Sequence, residues 1–325
     1  MNSEQIQYLE AVIEKDYNNI AGITVFKDGE MRYEKYFNDC TPKDPIHIFS
    51  ATKSIISLLV GIAVDRGYIG SLDKKILDFF PDYTVKKREK TIQHITLRNL
   101  LTMTAPYKYK FNPYTKFFTS PDWVKASLDL LGGRGEVGEF RYAPVIGPDI
   151  LSGVLTNVTG ESVLGFAQKN LFEPLGISVE RNLVFKSKDE QLAYYKAKSV
   201  NGWVSDECGT NTAGWGLSLT PEEMSRIGQL CLNKGSWQGK QLISPEWIEE
   251  STREHSRWDK IDKGYGYLWW VIDEKNQSFA ALGDGGNAIY VNPRKKMVIS
   301  IASLFAPRVK DRMELIENRI EPLFD

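Results

Sequence analysis

Histidine and cysteine are both scarce in this chain, and their scarcity argues against several kinds of enzyme. The three histidines lie far apart and none belongs to an H-E-x-x-H motif, so a histidine-based metal site is not expected. The three cysteines are odd in number and include no C-x-x-C pair, which favours free thiols over a disulfide framework. No serine stands in a G-x-S-x-G motif, so the nucleophile elbow of α/β-hydrolases is absent as well.

Charge of one sign and long apolar runs are also lacking. Lys plus Arg total 41 against 42 for Asp plus Glu, which leaves no net field to attract nucleic acid or an anionic membrane. The most apolar segment, 55–64, is too short to cross a bilayer and is typical of a buried helix. Residues 1–20 lack the pattern of a signal peptide. We therefore expect a cytoplasmic protein that binds neither nucleic acid nor membranes; a secreted enzyme that has lost its leader is the alternative.

Alternating patterns at the two ends of the chain predict an antiparallel sheet. Residues 22–26 and 31–37 alternate apolar and polar side chains around Asp28-Gly29, the strongest short signal for a hairpin. Near the other end, short strands are predicted at 268–272, 279–282, 288–291 and 298–302. Helices are predicted at about 3–17 and about 309–323.

The middle of the chain is predicted to be mostly helical. Apolar residues recur every three and four positions in 123–131, 147–158 and 163–171, and Thr220-Pro221 opens another helix. The whole pattern predicts an α+β fold, an antiparallel sheet flanked by helices plus a mostly helical domain. We expect residues 1–70 and 205–325 to form the sheet domain and residues 71–204 the helical domain, with the active site between them.

The glycine-rich segments are poor candidates for cofactor sites. Gly133–Gly138 matches G-x-G-x-x-G, but it follows a helical pattern rather than a strand, so a dinucleotide would have no strand-turn-helix seat. Gly235–Lys240 is one residue short of a P-loop and lacks the Ser or Thr that binds Mg²⁺. The sequence therefore predicts no organic cofactor and no metal.

The motif that does carry chemistry is S-x-x-K, which occurs twice, at Ser50–Lys53 and at Ser71–Lys74. Serine and lysine three positions apart share one face of a helix, and the helix N-terminus favours negative charge on the serine oxygen. Burial of the next turns would lower the pKa of the lysine until its neutral amine can accept a proton.

Context favours Ser50 over Ser71 as the nucleophile. Ser50 precedes the apolar segment 55–64, whereas Asp73 and Lys74 give Ser71 a solvated first turn. An ordinary helix N-cap is the simpler interpretation of Ser71, and it is an open alternative for Ser50.

A series of segments occurs in a characteristic order along the chain: 49–54 (Phe-Ser-Ala-Thr-Lys-Ser), 59–63, 67–73, 95–104, 174–177, 214–217, 266–270 and 283–286. In this order they resemble the class C β-lactamase-like serine hydrolases, which include penicillin-binding-protein-like enzymes. The sequence is most similar to the 6-aminohexanoate-dimer hydrolase branch, which cleaves esters and short amides. The fold implied by the resemblance is β-lactamase/transpeptidase-like, which agrees with the α+β arrangement inferred from the patterns.

The resemblance also implies a second motif, Y-x-N or Y-x-S, whose tyrosine relays a proton to the leaving group. The positional match is Tyr142-Ala143-Pro144, which keeps the tyrosine and replaces the amide side chain with proline. Proline has neither a side-chain amide nor a backbone N–H to hold a substrate carbonyl. A core aromatic with a locally bonded hydroxyl is the alternative interpretation of Tyr142.

The family's third motif, K-T-G or H-x-G on an edge strand, corresponds by resemblance to Gly283-Asp284-Gly285, which lacks the cation. The resemblance implies that backbone N–H groups of Ser50 and Gly286 form the oxyanion hole. Asp284 would repel a substrate carboxylate. A plain turn of glycines is the alternative.

The combined expectation is a serine acyl hydrolase that acts on a small ester or uncharged amide. Ser50 attacks, Lys53 is the general base and Tyr142 shuttles the proton. One alternative is a β-lactamase or D-alanyl-D-alanine peptidase. Gly283, which stands where those enzymes have a cation, counts against it. The other is a catalytically degenerate ligand-binding domain of the same fold, for which Pro144 is the best support.

Overall fold

The longest extended segments of the chain lie near its two ends. The computed structural model describes residues 3–111 and 113–325. In that part of the chain the strands are β1 (Ile20–Lys27), β2 (Glu30–Tyr36), β3 (Ile46–His47), β4 (Asn182–Leu183), β5 (Trp203–Val204), β6 (Ser218–Leu219), β7 (Ser236–Trp237), β8 (Lys240–Gln241), β9 (Ser256–Trp258), β10 (Lys263–Tyr265), β11 (Trp270–Asp273), β12 (Ser278–Gly283), β13 (Asn287–Asn292) and β14 (Met297–Ser303).

The two ends of the chain build one sheet. Its strand order is β2-β1-β14-β13-β12-β11-β10-β9, and every neighbouring pair is antiparallel. Strand β1 pairs with β14 in a register that places Ile23 opposite Ile301. Strands β9 to β14 follow one another through short turns and form a meander. The N-terminal hairpin of β1 and β2 adds two more strands beside β14.

The described residues contain thirteen α-helices, and ten of them lie between β2 and β9. They are α1 (Ser3–Asp16), α2 (Thr52–Asp65), α3 (Leu97–Leu101), α4 (Tyr114–Phe118), α5 (Trp123–Leu130), α6 (Asp149–Thr159), α7 (Val163–Ala167), α8 (Glu173–Leu175), α9 (Lys188–Lys196), α10 (Pro221–Leu232), α11 (Pro245–Thr252), α12 (Arg312–Leu315) and α13 (Glu321–Phe324). Helix α10 begins with a capping box between Thr220 and Glu223, and Pro221 occupies its first turn, where a missing N–H costs nothing.

Both faces of the sheet are covered by apolar side chains. On one face, β13 and β14 contribute Ile289 and Val298 to a large core that also contains α2 and α6. On the other face, α1 and the C-terminal helices pack over Tyr290 and Ile299. Helix α2 lies so deep that every residue from Thr52 to Ala63 is buried, which explains the near absence of polar residues in 55–64.

The structure confirms the predicted α+β class and places most of the predicted elements within two residues. Two predicted boundaries were wrong: the last helical segment begins at Arg312 rather than near Val309, and the strand expected at 268–272 begins at Trp270. Leu268 has φ 63°, a left-handed conformation that a strand cannot contain. The division into domains at residues 70/71 and 204/205 stays a prediction.

No single helix within residues 3–111 and 113–325 is long and apolar enough to span a membrane. One bent pair, 149–159 with 163–175, meets the length and composition requirement across an angle of 74°. Residues Asp149 to Leu155 of the first helix in this pair are all buried in the protein core.

Candidate active site

Ser50 lies in a tight turn that leads from strand β3 into helix α2. Residues Phe49–Ala51 form one turn of 3₁₀ helix, and the Thr52 hydroxyl donates a hydrogen bond to the Phe49 carbonyl oxygen at 2.7 Å. Phe49 itself has φ 48°, a left-handed conformation that is unfavourable for a bulky side chain. Its ring packs 3.8 Å from the ring of His47 and 5.9 Å from that of Tyr195, measured between centroids. Surrounding rings thus hold in place a strained residue directly before the nucleophile candidate.

Lys53 is the best-defined titratable group beside Ser50. Its side chain is 1% exposed, and its Nζ lies 3.0 Å from the Ser50 hydroxyl oxygen. The same nitrogen donates to the carbonyl oxygens of Pro144 at 2.7 Å and Gly214 at 2.8 Å. Burial lowers the pKa of Lys53 to about 7, although the carboxylates of Asp284 and Asp149 oppose the shift. A substantial fraction of the amine is therefore neutral near neutral pH.

Tyr142 closes the other side of this pair. The Lys53 Nζ lies 5.2 Å from the centre of the Tyr142 ring. Burial raises the pKa of the Tyr142 hydroxyl to about 12, and the nearby Ser50 hydroxyl acts in the opposite direction. The ring stacks on Trp258 with centroids 5.8 Å apart, which fixes its orientation. At neutral pH the phenol keeps its proton and can donate it or pass it on.

Pro144 reaches the site through its backbone. The resemblance to the family implied a lost amide side chain at this position, and the structure places the Pro144 carbonyl oxygen on Lys53 instead. Gly214 supplies the second carbonyl, and the buried Asp149 carboxylate holds the adjoining peptide by accepting a hydrogen bond from the Ala213 N–H at 2.7 Å. Burial raises the pKa of Asp149 to about 7. Sequence patterns gave no signal for Asp149, since it is the first residue of α6 and no motif surrounds it.

The glycine-rich turn after β12 touches the turn that carries Ser50. A side chain at Gly283 would collide with the Ile48 carbonyl oxygen, so only glycine allows this close approach. The turn Asp284–Gly286 follows at once and leads into β13. Its carbonyl groups are fixed by hydrogen bonds, from Asn287 to Asp284 at 2.8 Å and from Asn19 to Gly285 at 2.7 Å. A side chain at Gly286 would meet Arg312.

Ser71 and Lys74 do not form a comparable site. The structure places Ser71 in an exposed turn, where its hydroxyl accepts a hydrogen bond from the Asp73 N–H at 3.1 Å. Lys74 instead extends over the ring of Phe79, 4.9 Å from its centre. The expected helix N-cap at Ser71 was wrong, because no helix begins there.

Comparison with known proteins identifies the family. The model of the family described as Beta-lactamase matches residues 10–321. The chain belongs to the β-lactamase family. This is a family of serine hydrolases, and the β-lactamase/transpeptidase-like fold expected from the sequence is confirmed.

Individual relatives within the β-lactamase family are distant. The 6-aminohexanoate-dimer hydrolase of Paenarthrobacter ureafaciens is 21% identical over 296 residues, which cover 85% of this chain and 70% of the relative. A penicillin-binding protein homologue from Caulobacter crescentus superposes with a TM-score of 0.70 at 17% identity, covering 93% and 92% of the two chains. A family VIII carboxylesterase does so with a TM-score of 0.72 at 16% identity, covering 98% and 96%. Esterase, amidase and penicillin-binding members therefore share this fold.

Proposed function

We propose that this protein is a serine acyl hydrolase that cleaves a small ester or uncharged amide through an acyl-enzyme on Ser50. The observation that carries the proposal is the Lys53 Nζ, which lies 3.0 Å from the Ser50 oxygen with its pKa lowered to about 7. A base with a pKa near the operating pH combines a useful neutral fraction with a useful proton affinity.

The hydrogen bonds of Lys53 suit a neutral amine. A neutral amine has two N–H bonds and one lone pair, and the carbonyl oxygens of Pro144 and Gly214 accept the two N–H bonds. The lone pair is then left for the Ser50 hydroxyl, which donates to it before attack. In this arrangement the two peptide carbonyls position the Lys53 amine.

The proposed reaction has two halves. Ser50 Oγ bonds to the acyl carbon while its proton passes to Lys53, and Tyr142 relays a proton to the departing alcohol or amine. We assign the oxyanion hole to the N–H groups of Ser50 and Gly286, since the turn at Gly283 approaches the Ser50 turn closely. Water then attacks the acyl-enzyme, the carbonyl–Oγ bond breaks, and Ser50 regains its proton.

The two alternatives predict different chemistry. A β-lactamase or D-alanyl-D-alanine peptidase needs a cation for its substrate's carboxylate, and here the corresponding turn offers Asp284. A degenerate binding domain needs no base beside the serine, yet the Lys53 Nζ lies 3.0 Å from the Ser50 oxygen, and its burial favours the neutral form.

Fluorophosphonate labelling tests the proposal directly. We expect one label at Ser50, together with hydrolysis of p-nitrophenyl butyrate that Ser50→Ala abolishes and Tyr142→Phe impairs. Ser71→Ala is the matched control and is expected to keep both properties. Nitrocefin should be turned over at less than about a tenth of the ester's kcat/KM, because one lost charge-assisted hydrogen bond costs about tenfold or more. Labelling at another serine, or equal turnover of nitrocefin, would refute the assignment.

A further inference from the structure

Asn19 ties the glycine turn after β12 to the end of β14. Its side-chain amino group donates to the carbonyl oxygens of Gly285 and Leu304, each at 2.7 Å. The Leu304 N–H donates in return to the Asn19 backbone carbonyl oxygen at 2.8 Å. Because Leu304 directly follows β14, these bonds fix the Gly285 carbonyl relative to the sheet.

Arg312 supports the same carbonyl from the C-terminal segment. Its guanidinium donates to the Asn19 amide oxygen and, at 3.4 Å, to the Gly285 carbonyl oxygen. The guanidinium carbon lies 5.0 Å from the centre of the Tyr17 ring, a cation–π contact. A side chain at Gly286 would come within 2.5 Å of the Arg312 Nε, so the arginine packs directly against the turn.

The burial of Arg312 is not compensated by a carboxylate. The residue is only 4% exposed. In the part of the chain that the structure describes, its hydrogen bonds go to neutral oxygens, those of Asn19, Gly285 and Lys310, and its Nε has no partner. A buried cation without an anionic partner reduces stability. A contribution to folding therefore explains this arginine less well than an effect on the turn that it contacts.

The Gly285 carbonyl shares a peptide unit with the Gly286 N–H. A peptide unit is planar, so bonds that fix the carbonyl also fix the direction of this N–H. The turn begins at Gly283, where the backbone lies against the Ile48 carbonyl just before the nucleophile. Bonds to the Gly285 carbonyl thus act where the turn meets the proposed active site.

We propose that Asn19 and Arg312 are positioning residues for the oxyanion hole, which they orient by holding the Gly285 carbonyl. The inference rests on the proposed function, which assigns one N–H of the hole to Gly286. Neither side chain needs to touch the substrate, because both act through the turn. Displacing a catalytic group by about 1 Å can cost about a hundredfold in rate, so loosening this turn is expected to be costly.

Single and double variants test the inference on p-nitrophenyl butyrate. We expect Asn19→Ala and Arg312→Met each to lower kcat and kcat/KM together by about tenfold or more, because the oxyanion forms only in the transition state. The double variant should lose about as much as one single variant, since both side chains act through one carbonyl. Losses that multiply in the double variant overturn the shared action.

Two further variants separate positioning from folding. Arg312→Lys keeps a cationic donor, so it should recover about threefold of the kcat lost in Arg312→Met. Arg226→Met is the matched control, because Arg226 also donates to a glycine carbonyl, that of Gly176 at 2.6 Å, which follows α8 rather than β12. All variants are assayed below their melting temperatures. A loss in Arg226→Met as large as that in Arg312→Met overturns the inference.

Binding of propylboronic acid measures the oxyanion hole without turnover. Ser50 Oγ bonds to boron, the serine proton passes to Lys53, and the tetrahedral boronate places a negative oxygen where the oxyanion would lie. We expect its inhibition constant to rise about tenfold or more in Asn19→Ala and in Arg312→Met, in proportion to the fall in kcat/KM. Unchanged boronate affinity in both variants overturns the inference.

The natural protein distinguishes failure of this inference from failure of the proposed function. If it hydrolyses the ester and binds the boronate, and the Asn19 and Arg312 variants match it, the inference fails and the proposed function stands. If the natural protein does neither, the proposed function fails and takes the inference with it.

Discussion

In the proposed mechanism, the burial of one lysine sets the pH range of the reaction. Only neutral Lys53 can take the proton of Ser50, and burial lowers its pKa to about 7. We therefore expect kcat/KM for p-nitrophenyl butyrate to rise with pH along a limb whose apparent pKa is near 7. A rate profile recorded from about pH 5 to about pH 9 gives this pKa directly. Lys53→Ala should lower kcat by about a hundredfold or more and remove the limb.

Replacing Asp149 provides a second test with the same pH–rate profile. Its carboxylate raises the pKa of Lys53, so Asp149→Asn is expected to move the rising limb to lower pH. Asp206→Asn is the matched control, because Asp206 is also buried and accepts backbone N–H bonds, here from Trp123 and Thr210. A limb that shifts equally in both variants would show a general effect of disturbed packing rather than a charge acting on Lys53.

At the residue scale, contacts between residues close in sequence could be predicted, and contacts between residues far apart in sequence could not. Ser50 and Lys53 are three positions apart, so helical spacing was enough to propose their contact. The carbonyl oxygens that position Lys53 come from residues 91 and 161 positions away, Pro144 and Gly214. Backbone carbonyls are identical in every residue type, and no sequence pattern distinguishes those two.

Strand β12 and the turn before α2 act as one unit at the element scale. Their contact depends on Gly283, where a methyl group would collide with the Ile48 carbonyl oxygen. Gly283→Ala is expected to push the strand away from Ser50 and to lower kcat by about tenfold or more, since small displacements of catalytic groups are costly. Ester hydrolysis and melting temperature, measured together, separate lost catalysis from lost folding. Gly70→Ala is the control, because nothing lies within 4 Å of its added methyl group.

A Gly283→Ala enzyme with normal turnover would show that this strand does not form the edge of the active site. Equal losses of activity in Gly283→Ala and Gly70→Ala would point to a general effect of replacing glycine rather than to this contact.

Strand prediction succeeded where alternation was strong and failed where strands are short. The hairpin of β1 and β2 is confirmed around Asp28-Gly29, because its two flanking segments alternate for several residues. Strands β9 and β10 were missed, since three residues each are too few for a periodic signal. The strained conformation of Phe49 was also missed, because rings distant in sequence, such as that of Tyr195, help to stabilise it.

The sheet and the helical region share one core, which determines how the whole molecule unfolds. A single buried cluster joins Ile289 and Val298 of the sheet to Leu59 of α2, Leu151 of α6 and Phe172 of the helical region. We expect enzyme activity, tryptophan fluorescence and far-ultraviolet circular dichroism to be lost at the same guanidinium concentration. Neither the sheet nor the helical region can bury its apolar surface without the other.

Separate transitions for these three signals would contradict the shared core. A species that keeps its strand content after losing activity would mean that the helical region opens first. The inactive Ser50→Ala variant gives a control, since its fluorescence and dichroism midpoints should match those of the natural protein.

The position of β14 beside β1 also has a consequence during synthesis. Strand β1 is made long before β14, the strand that pairs with it. Ribosomes add roughly 5–20 residues per second, so the nascent chain spends on the order of ten seconds or more with the apolar helix α2 made and the end of β12 still missing. During that interval the serine and its lysine exist without the strand that completes their cleft. The time needed to translate the chain as far as β12 therefore sets the earliest moment at which a new molecule can act. During the same interval chaperones can bind its uncovered core.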